Sequence, residues 1–257
     1  MSVMAALAGG SKKLKFGMNV ASMGLRDPVL TAKACATIDV LSGGRLLPAF
    51  GVGSALSRDF IATGRDTKGR GKRTEESLQI MSALWREDSV NFQGDYYQLI
   101  DATISPKPVQ SPMPLWVGGS APQAIARTAR WGTGWQAGIE SAAEIKPVIE
   151  AIKISAGELG RKIDDDHFGA GFGFRFGKQS DPMVQKYNEV LEKRLGKDPA
   201  AYSAVGGVDE MMAMVEDFHA SGAHKFILRP IASGTADMIE QTKMLVEQLL
   251  PAINALN

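Results

Sequence analysis

The stretch Pro114-Leu-Trp-Val-Gly-Gly-Ser-Ala-Pro-Gln123 decides the fold class of this chain. It predicts a short buried strand that enters a helix through a glycine pair and a serine. Such a turn presents backbone N–H groups at the start of the helix, where a phosphate can bind. The glycines let a ligand approach the backbone closely, and Pro122 suits an early helix position. The same residues are also typical of an ordinary turn between a strand and a helix, so the rest of the sequence is needed to choose between a phosphate-binding turn and an ordinary one.

Predicted strands and helices alternate on both sides of that stretch. The six core strands span residues 14–20, 46–52, 114–118, 134–138, 168–176 and 225–231. Helices are predicted over residues 3–9, 29–41, 72–85, 121–131, 142–159, 182–195, 208–220 and 236–256, the last one bent near Pro251. This alternation indicates βαβ units and a parallel sheet. Two architectures remain open, since a closed (β/α)8 barrel needs eight strands and six can form an open doubly wound sheet.

The organisation predicted along the chain is that of one domain over residues 1–257. No repeat, low-complexity segment or linker interrupts the pattern. Residues 54–113 form an insertion on a strand-to-helix loop, and in barrels of this type such loops build the active site.

Composition excludes several classes of protein. The chain is 44% hydrophobic and 22% charged, a balance typical of soluble globular domains. Its net charge of +1 gives no basic surplus for nucleic acid. The single cysteine, Cys35, excludes an internal disulfide and a multi-cysteine metal site. Without a long apolar run or a basic leader, we expect a cytoplasmic protein with no membrane segment.

Several motifs in a fixed order carry a family resemblance. They are Ala36-Thr-Ile-Asp-Val-Leu-Ser-Gly-Gly-Arg-Leu46 with Phe50-Gly-Val-Gly53; Arg70-Gly71, Arg73, Glu76 and Leu84-Trp85; Phe92-Gln-Gly-Asp-Tyr-Tyr97; Pro106-Lys-Pro-Val-Gln110; the opening stretch; and Ala129-Arg-Trp-Gly-Thr-Gly-Trp135. Over residues 3–251 the chain resembles the bacterial-luciferase-like monooxygenase family. The resemblance implies a (β/α)8 barrel of the TIM-barrel type, a small-molecule substrate, and a flavin- or F420-dependent oxidoreductase or monooxygenase that uses FMN or the deazaflavin F420.

The resemblance also implies that this barrel is incomplete. Residues 14–20 are similar to the family's third strand, so the first strand, first helix and second strand have no counterpart, and about six of eight strands remain. Three explanations stay open: a truncated sequence, completion by a second copy or another chain, or a non-catalytic relative that only binds. A homodimer or completion by another chain is expected. Acid/base residues of the family lie on the strands without a counterpart, so no catalytic residue is predicted.

The resemblance assigns the remaining site residues by motif. Gly118, Gly119 and Ser120 would hold the cofactor phosphate at the helix N-terminus, with Trp135 packed beneath them. Asn19, Val20 and Ala21 end the strand whose backbone, in the family, bulges behind the flavin ring, in some members through a cis peptide bond without proline. Gly51 and Gly53 end the neighbouring strand. The alternatives are a plain strand end at residues 19–21 and ordinary tight turns at the two glycines.

Charged residues give fewer candidates. Arg229, late in the last strand, is predicted to contact substrate or cofactor, or else a neighbouring carbonyl group. The basic run Arg65, Lys68, Arg70, Lys72 and Arg73 could meet the anionic tail of F420 or a substrate phosphate; the alternative is a solvated loop in which Arg73 pairs with Glu76. The histidines His167, His219 and His224 show no spacing typical of a metal site, so none is predicted.

Overall fold

Helices and strands alternate along the computed structural model, which describes residues 1–254. The helices are α1 (Ser2–Gly10), α2 (Pro28–Ser42), α3 (Arg58–Ala62), α4 (Arg70–Arg86), α5 (Pro122–Trp131), α6 (Ala142–Glu158), α7 (Pro182–Leu195), α8 (Val208–Ala220), α9 (Gly234–Met244) and α10 (Leu250–Asn254). The strands are β1 (Phe16–Gly17), β2 (Ala21–Ser22), β3 (Leu46–Leu47), β4 (Ala49–Gly51), β5 (Val90–Gln93), β6 (Gln98–Ala102), β7 (Trp116–Gly118), β8 (Gly134–Gln136), β9 (Phe168–Phe176), β10 (Ser203–Gly206) and β11 (Lys225–Pro230).

The chain divides into two compact units. The first contains Met1–Gln136 and Ile152–Asp164, and the second contains Ala137–Ala151 and residues 165–254. None of the helices within residues 1–254 is both long and apolar enough to span a lipid bilayer.

The first unit contains a parallel sheet in the order β2-β4-β7-β8. The predicted strand over residues 14–20 is divided into β1, which pairs with β3, and β2, which pairs with β4. Because all these strands run in the same direction, the carboxyl ends of β2, β4 and β7 lie at the same edge of the sheet. The hairpin β5–β6 is antiparallel and belongs to the predicted insertion.

The second unit is organised around β9. Strand β11 pairs in parallel with residues 169–174 of β9, with Lys225 beside Gly169 and Pro230 beside Phe174. Strand β10 pairs in parallel with the last four residues of β9. The sequence analysis did not predict β10, so the structure adds one parallel strand to the six that it did predict.

Buried polar anchors explain several of the family-like motifs. The carboxylate of Asp39 is fully buried and accepts hydrogen bonds from the backbone N–H groups of Val109 and Gln110 and from the Gln110 side chain. Arg45 donates to the carbonyl oxygens of Ala8 and Leu14, which fixes the end of α1. These motif residues therefore maintain the fold of the first unit and do not form a site.

Candidate functional site

The carboxyl ends of β4 and β7 lie against the side chain of Val20, the residue that directly precedes β2. The Asn19–Val20 peptide bond is cis, and the chain leaves the sheet between β1 and β2. A Cβ atom at Gly51 would lie 2.9 Å from a Val20 methyl group, and one at Gly118 would lie 3.0 Å from both Val20 methyl groups. Glycine is therefore required on both neighbouring strands, and the structure brings together three of the predicted site residues.

Gly53 forms the turn that follows β4. Its φ is +79°, and a Cβ atom there would lie 3.0 Å from both the Ser22 hydroxyl and the Phe60 ring. The Arg70 guanidinium donates a hydrogen bond of 3.2 Å to the Gly53 carbonyl. The turn is thus packed against the end of β2 and held by the first residue of α4.

The Gly118-Gly119-Ser120 turn joins β7 to α5. Gly119 has φ +108°, in the left-handed region that favours glycine, and its carbonyl accepts a hydrogen bond of 2.8 Å from the Trp135 indole. Helix α5 has Ala121 as N-cap with no side-chain hydrogen bond, and Pro122 follows as the first helical residue. The N-terminus of a helix carries partial positive charge, because its first backbone N–H groups have no partner within the helix.

The basic run is divided between structural and exposed residues. Arg73 donates to the Lys68 and Asp66 carbonyls and lies over the Tyr96 ring. The predicted Arg73–Glu76 pair is wrong, because the Glu76 carboxylate instead accepts backbone N–H groups at the tip of the β5–β6 hairpin, from Asp95, Tyr96 and Tyr97. The exposed cationic side chains of the run are Arg65, Lys68 and Lys72.

Arg229 lies in the second unit, near the carboxyl end of β11. It is the register partner of Gly173 in β9, and its guanidinium donates to the Gly138 carbonyl at 3.3 Å. The predicted contact with a neighbouring carbonyl is therefore present, and the Gly138 N–H is bound by the Glu140 carboxylate at 2.6 Å.

The sequence analysis missed two further polar clusters in this unit. Arg175, at the end of β9, donates to Asp181 and to Asp237 in α9, each at 3.0 Å, and to the Ile231 carbonyl at 2.8 Å. Sequence spacing gives no signal for this cluster, because its acids lie 6 and 62 residues away.

The second missed cluster is centred on Glu144 of α6. Its carboxylate accepts hydrogen bonds from Ser141, Lys197 and Tyr202. Burial acts to raise the pKa of Glu144, but these hydrogen bonds outweigh it and lower the pKa to about 2.

The histidines lie away from the carboxyl ends of the strands. His167 and His224 directly precede β9 and β11, and the His224 ring contacts that of His219 with a centroid distance of 4.7 Å. Within residues 1–254, no three His, Cys, Asp or Glu side chains are grouped so that they could hold a metal ion.

Comparison with protein families gives one match that covers most of the chain. The model of the luciferase-like monooxygenase family matches residues 1–237. The chain is 36% identical over 136 residues to the F420-dependent glucose-6-phosphate dehydrogenase of Amycolatopsis mediterranei, a match that covers 51% of this chain and 40% of that protein. It is 33% identical over 158 residues to an uncharacterised protein of Mycobacterium tuberculosis, covering 61% and 54%. The chain thus spans about half the length of the curated relatives it matches, or less.

Solved structures resemble almost the whole chain. Monooxygenase RslO1 from Streptomyces bottropensis has a TM-score of 0.81 at 19% identity, covering 98% of this chain and 82% of that one. An F420-dependent secondary alcohol dehydrogenase, solved with an F420–acetone adduct, has a TM-score of 0.80 at 21% identity, covering 96% and 83%. At these identities the likeness shows the fold, an α/β barrel of the (β/α)8 type.

Proposed function

The chain belongs to the luciferase-like monooxygenase family, and we propose that it binds FMN or F420 as an oxidoreductase and places it beside a small-molecule substrate. Relatives that are F420-dependent by name support the deazaflavin, and a similar structure, a type II Baeyer–Villiger monooxygenase in complex with FMN, supports the flavin. The bound cofactor would supply the redox chemistry, while the protein supplies position and excludes water. We assign no catalytic acid or base.

The observation that carries this proposal is the turn between β7 and α5. Gly118, Gly119 and Ser120 lead into a helix whose N-cap makes no side-chain hydrogen bond. In the proposal, backbone N–H groups of this turn bind the cofactor phosphate, and Trp135 fixes the turn through the Gly119 carbonyl. This arrangement binds an anion without a charged side chain.

The bulge between β1 and β2 is the proposed support for the cofactor ring. Asn19, Val20 and Ala21 would present backbone to the ring, and Gly51 and Gly53 would keep the neighbouring strand end free of side chains. The close packing of Val20 against Gly51 and Gly118 supports this, because it fixes the position of the bulge relative to β4 and β7.

The exposed side chains of Arg65, Lys68 and Lys72 favour F420 over FMN. F420 carries an anionic tail, and these three cations, two on the loop before α4 and one in its first turn, attract such a chain at moderate ionic strength. A titration with each cofactor decides between them.

The test is a titration of the purified chain with FMN and with F420, followed by absorbance and fluorescence. Binding of either one supports the proposal. We expect Gly119→Ala to weaken binding about 10- to 100-fold, because a residue with a Cβ atom is strained at this φ and displaces the phosphate donors. Gly17→Ala is the matched control, since a Cβ atom there meets nothing within 4 Å. A folded chain that binds neither cofactor contradicts the proposal.

One observation favours a second candidate function. Within residues 1–254, β2 pairs only with β4, and β11 pairs only with β9. In this alternative the chain is a non-catalytic or truncated relative that completes its cofactor site with strands from another chain. Light scattering during the same titration tests it: a monomer that binds one cofactor per chain contradicts the alternative.

A further inference from the structure

The pairing of β11 with β9 places a tyrosine hydroxyl beside Arg229. Arg229 and Gly173 are register partners in neighbouring parallel strands, so the Arg229 side chain lies on the face of the sheet that a side chain at position 173 would share. Gly173 itself has no side chain there. An ideal Cβ atom at Gly173 would lie 2.6 Å from the Tyr187 hydroxyl oxygen. The hydroxyl therefore occupies the space that a side chain at Gly173 would fill.

Helix α7 anchors the Tyr187 ring. Val184, one turn earlier, is fully buried against Val205 and Ile231, and Tyr187 packs against this small cluster. Tyr187 is half-buried, and its hydroxyl makes no hydrogen bond to another residue within 1–254. Burial raises the pKa of Tyr187, against the opposing effect of the Arg229 charge, so the phenol stays protonated and can donate.

Arg229 differs from Arg127 and Arg175 in its partners. Arg127 pairs with Glu75, and Arg175 pairs with two aspartates. Among the described residues, Arg229 has the Gly138 carbonyl as its hydrogen-bond acceptor and no carboxylate. A guanidinium has five N–H donors, so most of those on Arg229 remain available to a ligand.

We propose that Tyr187 and Arg229 form a subsite for an anionic oxygen group of the substrate, a carboxylate or a phosphate. A neutral phenol donor beside a guanidinium matches the two acceptor oxygens of such a group. The pair lies toward the carboxyl ends of β9 and β11, the end at which parallel α/β sheets place their ligands. The inference rests on the proposed function for its assignment to the substrate, and it adds Tyr187 as a binding residue.

The test is ¹⁹F NMR of the full chain labelled with 3-fluorotyrosine. The chain has four tyrosines, and Tyr187→Phe identifies the Tyr187 resonance by its disappearance. Inorganic phosphate and acetate are titrated separately at constant ionic strength, with chloride as the reference anion. We expect one or both anions to shift the Tyr187 resonance saturably, and the more effective one identifies the group. Arg229→Gln should weaken that response about tenfold or more.

Control variants separate this outcome from general effects. Tyr202→Phe removes a hydroxyl bonded to Glu144 and should leave the Tyr187 response unchanged. The other resonances of Arg229→Gln must keep their positions, which shows that the variant is folded. The inference is overturned if neither anion shifts the Tyr187 resonance. It is also overturned if the shift is equally large in Arg229→Gln or with chloride, since such a response indicates an adventitious ion only.

Cofactor titration of the same variants distinguishes this inference from the proposed function. Unchanged FMN or F420 affinity in Tyr187→Phe and Arg229→Gln supports a substrate subsite. Weaker cofactor affinity in both overturns it, because the pair then contacts the cofactor. An anion response in a chain that binds neither cofactor contradicts the proposed function and supports the anion subsite.

Discussion

The carboxyl ends of the strands are built differently in the two units. In the first unit, Gly51 and Gly118 leave room for Val20, and Gly119 turns the chain with φ +108°. In the second unit, the ends of β9 and β11 carry Arg175 and Arg229. The first unit thus presents backbone groups, and the second presents charged side chains.

This difference separates two kinds of sensitivity. A site made of backbone and glycine responds to added volume, since a single methyl group meets Val20 at 2.9 to 3.0 Å. A site made of ion pairs responds to loss of a partner and to pH. Steric substitutions should therefore act most strongly in the first unit, and charge removal in the second.

The largest effect is expected from Arg175→Met. The Arg175 side chain is 16% exposed and donates to Asp181, Asp237 and the Ile231 carbonyl. Its removal leaves these acceptors without their donor and should lower the free energy of unfolding by about 2–3 kcal/mol. Urea denaturation at pH 7 measures this loss. The matched control is Arg70→Met in the first unit, which loses hydrogen bonds to two carbonyl oxygens and should lower the free energy of unfolding by about 1 kcal/mol. Equal losses in the two variants would contradict the expectation that charge removal acts more strongly in the second unit.

A smaller effect is expected from Gly51→Ala. The added methyl group would lie 2.9 Å from a branched side chain that cannot swing away, and overpacking of this kind costs about 1–2 kcal/mol. Val20→Ala removes the obstructing methyl groups. In the double variant, the cost of Gly51→Ala should fall by about 1 kcal/mol, as a double-mutant cycle of denaturation curves would show. Strictly additive losses would mean that Val20 does not set the requirement for glycine.

Long, regular elements follow from local sequence. Pro182–Leu195, Val208–Ala220 and Phe168–Phe176 have the predicted bounds, because a proline or glycine marks their ends and apolar residues repeat along them. The long C-terminal helix was predicted as one bent element. It is divided by a π-helical turn at Leu245–Leu249, in which the Leu250 N–H reaches the Leu245 carbonyl just before Pro251, a residue that has no N–H.

Features that depend on distant partners could not be predicted. Glu76 is spaced to pair with Arg73, yet the β5–β6 hairpin supplies three N–H groups that bind its carboxylate instead. Strand β10 has only four residues and depends on β9 for its pairing. The position of Tyr187 above Gly173 likewise depends on how α7 packs, which helical periodicity alone does not encode.

The smallest effect concerns pH and Glu144. Hydrogen bonds from Lys197, Ser141 and Tyr202 outweigh burial and lower the pKa of Glu144 to about 2, below that of an unfolded glutamate. The ionised carboxylate therefore stabilises the fold above about pH 4.5, and this contribution disappears as the pH falls toward 2. Since the side chain is 31% exposed, solvent screening reduces the contribution to about 1 kcal/mol. Glu144→Gln should lower the free energy of unfolding by that amount at pH 6, and the difference from the unmodified chain should vanish near pH 2. Glu150→Gln, an exposed position on the same helix, should change it at neither pH. A constant difference for Glu144→Gln across this range would mean that its charge does not stabilise the second unit.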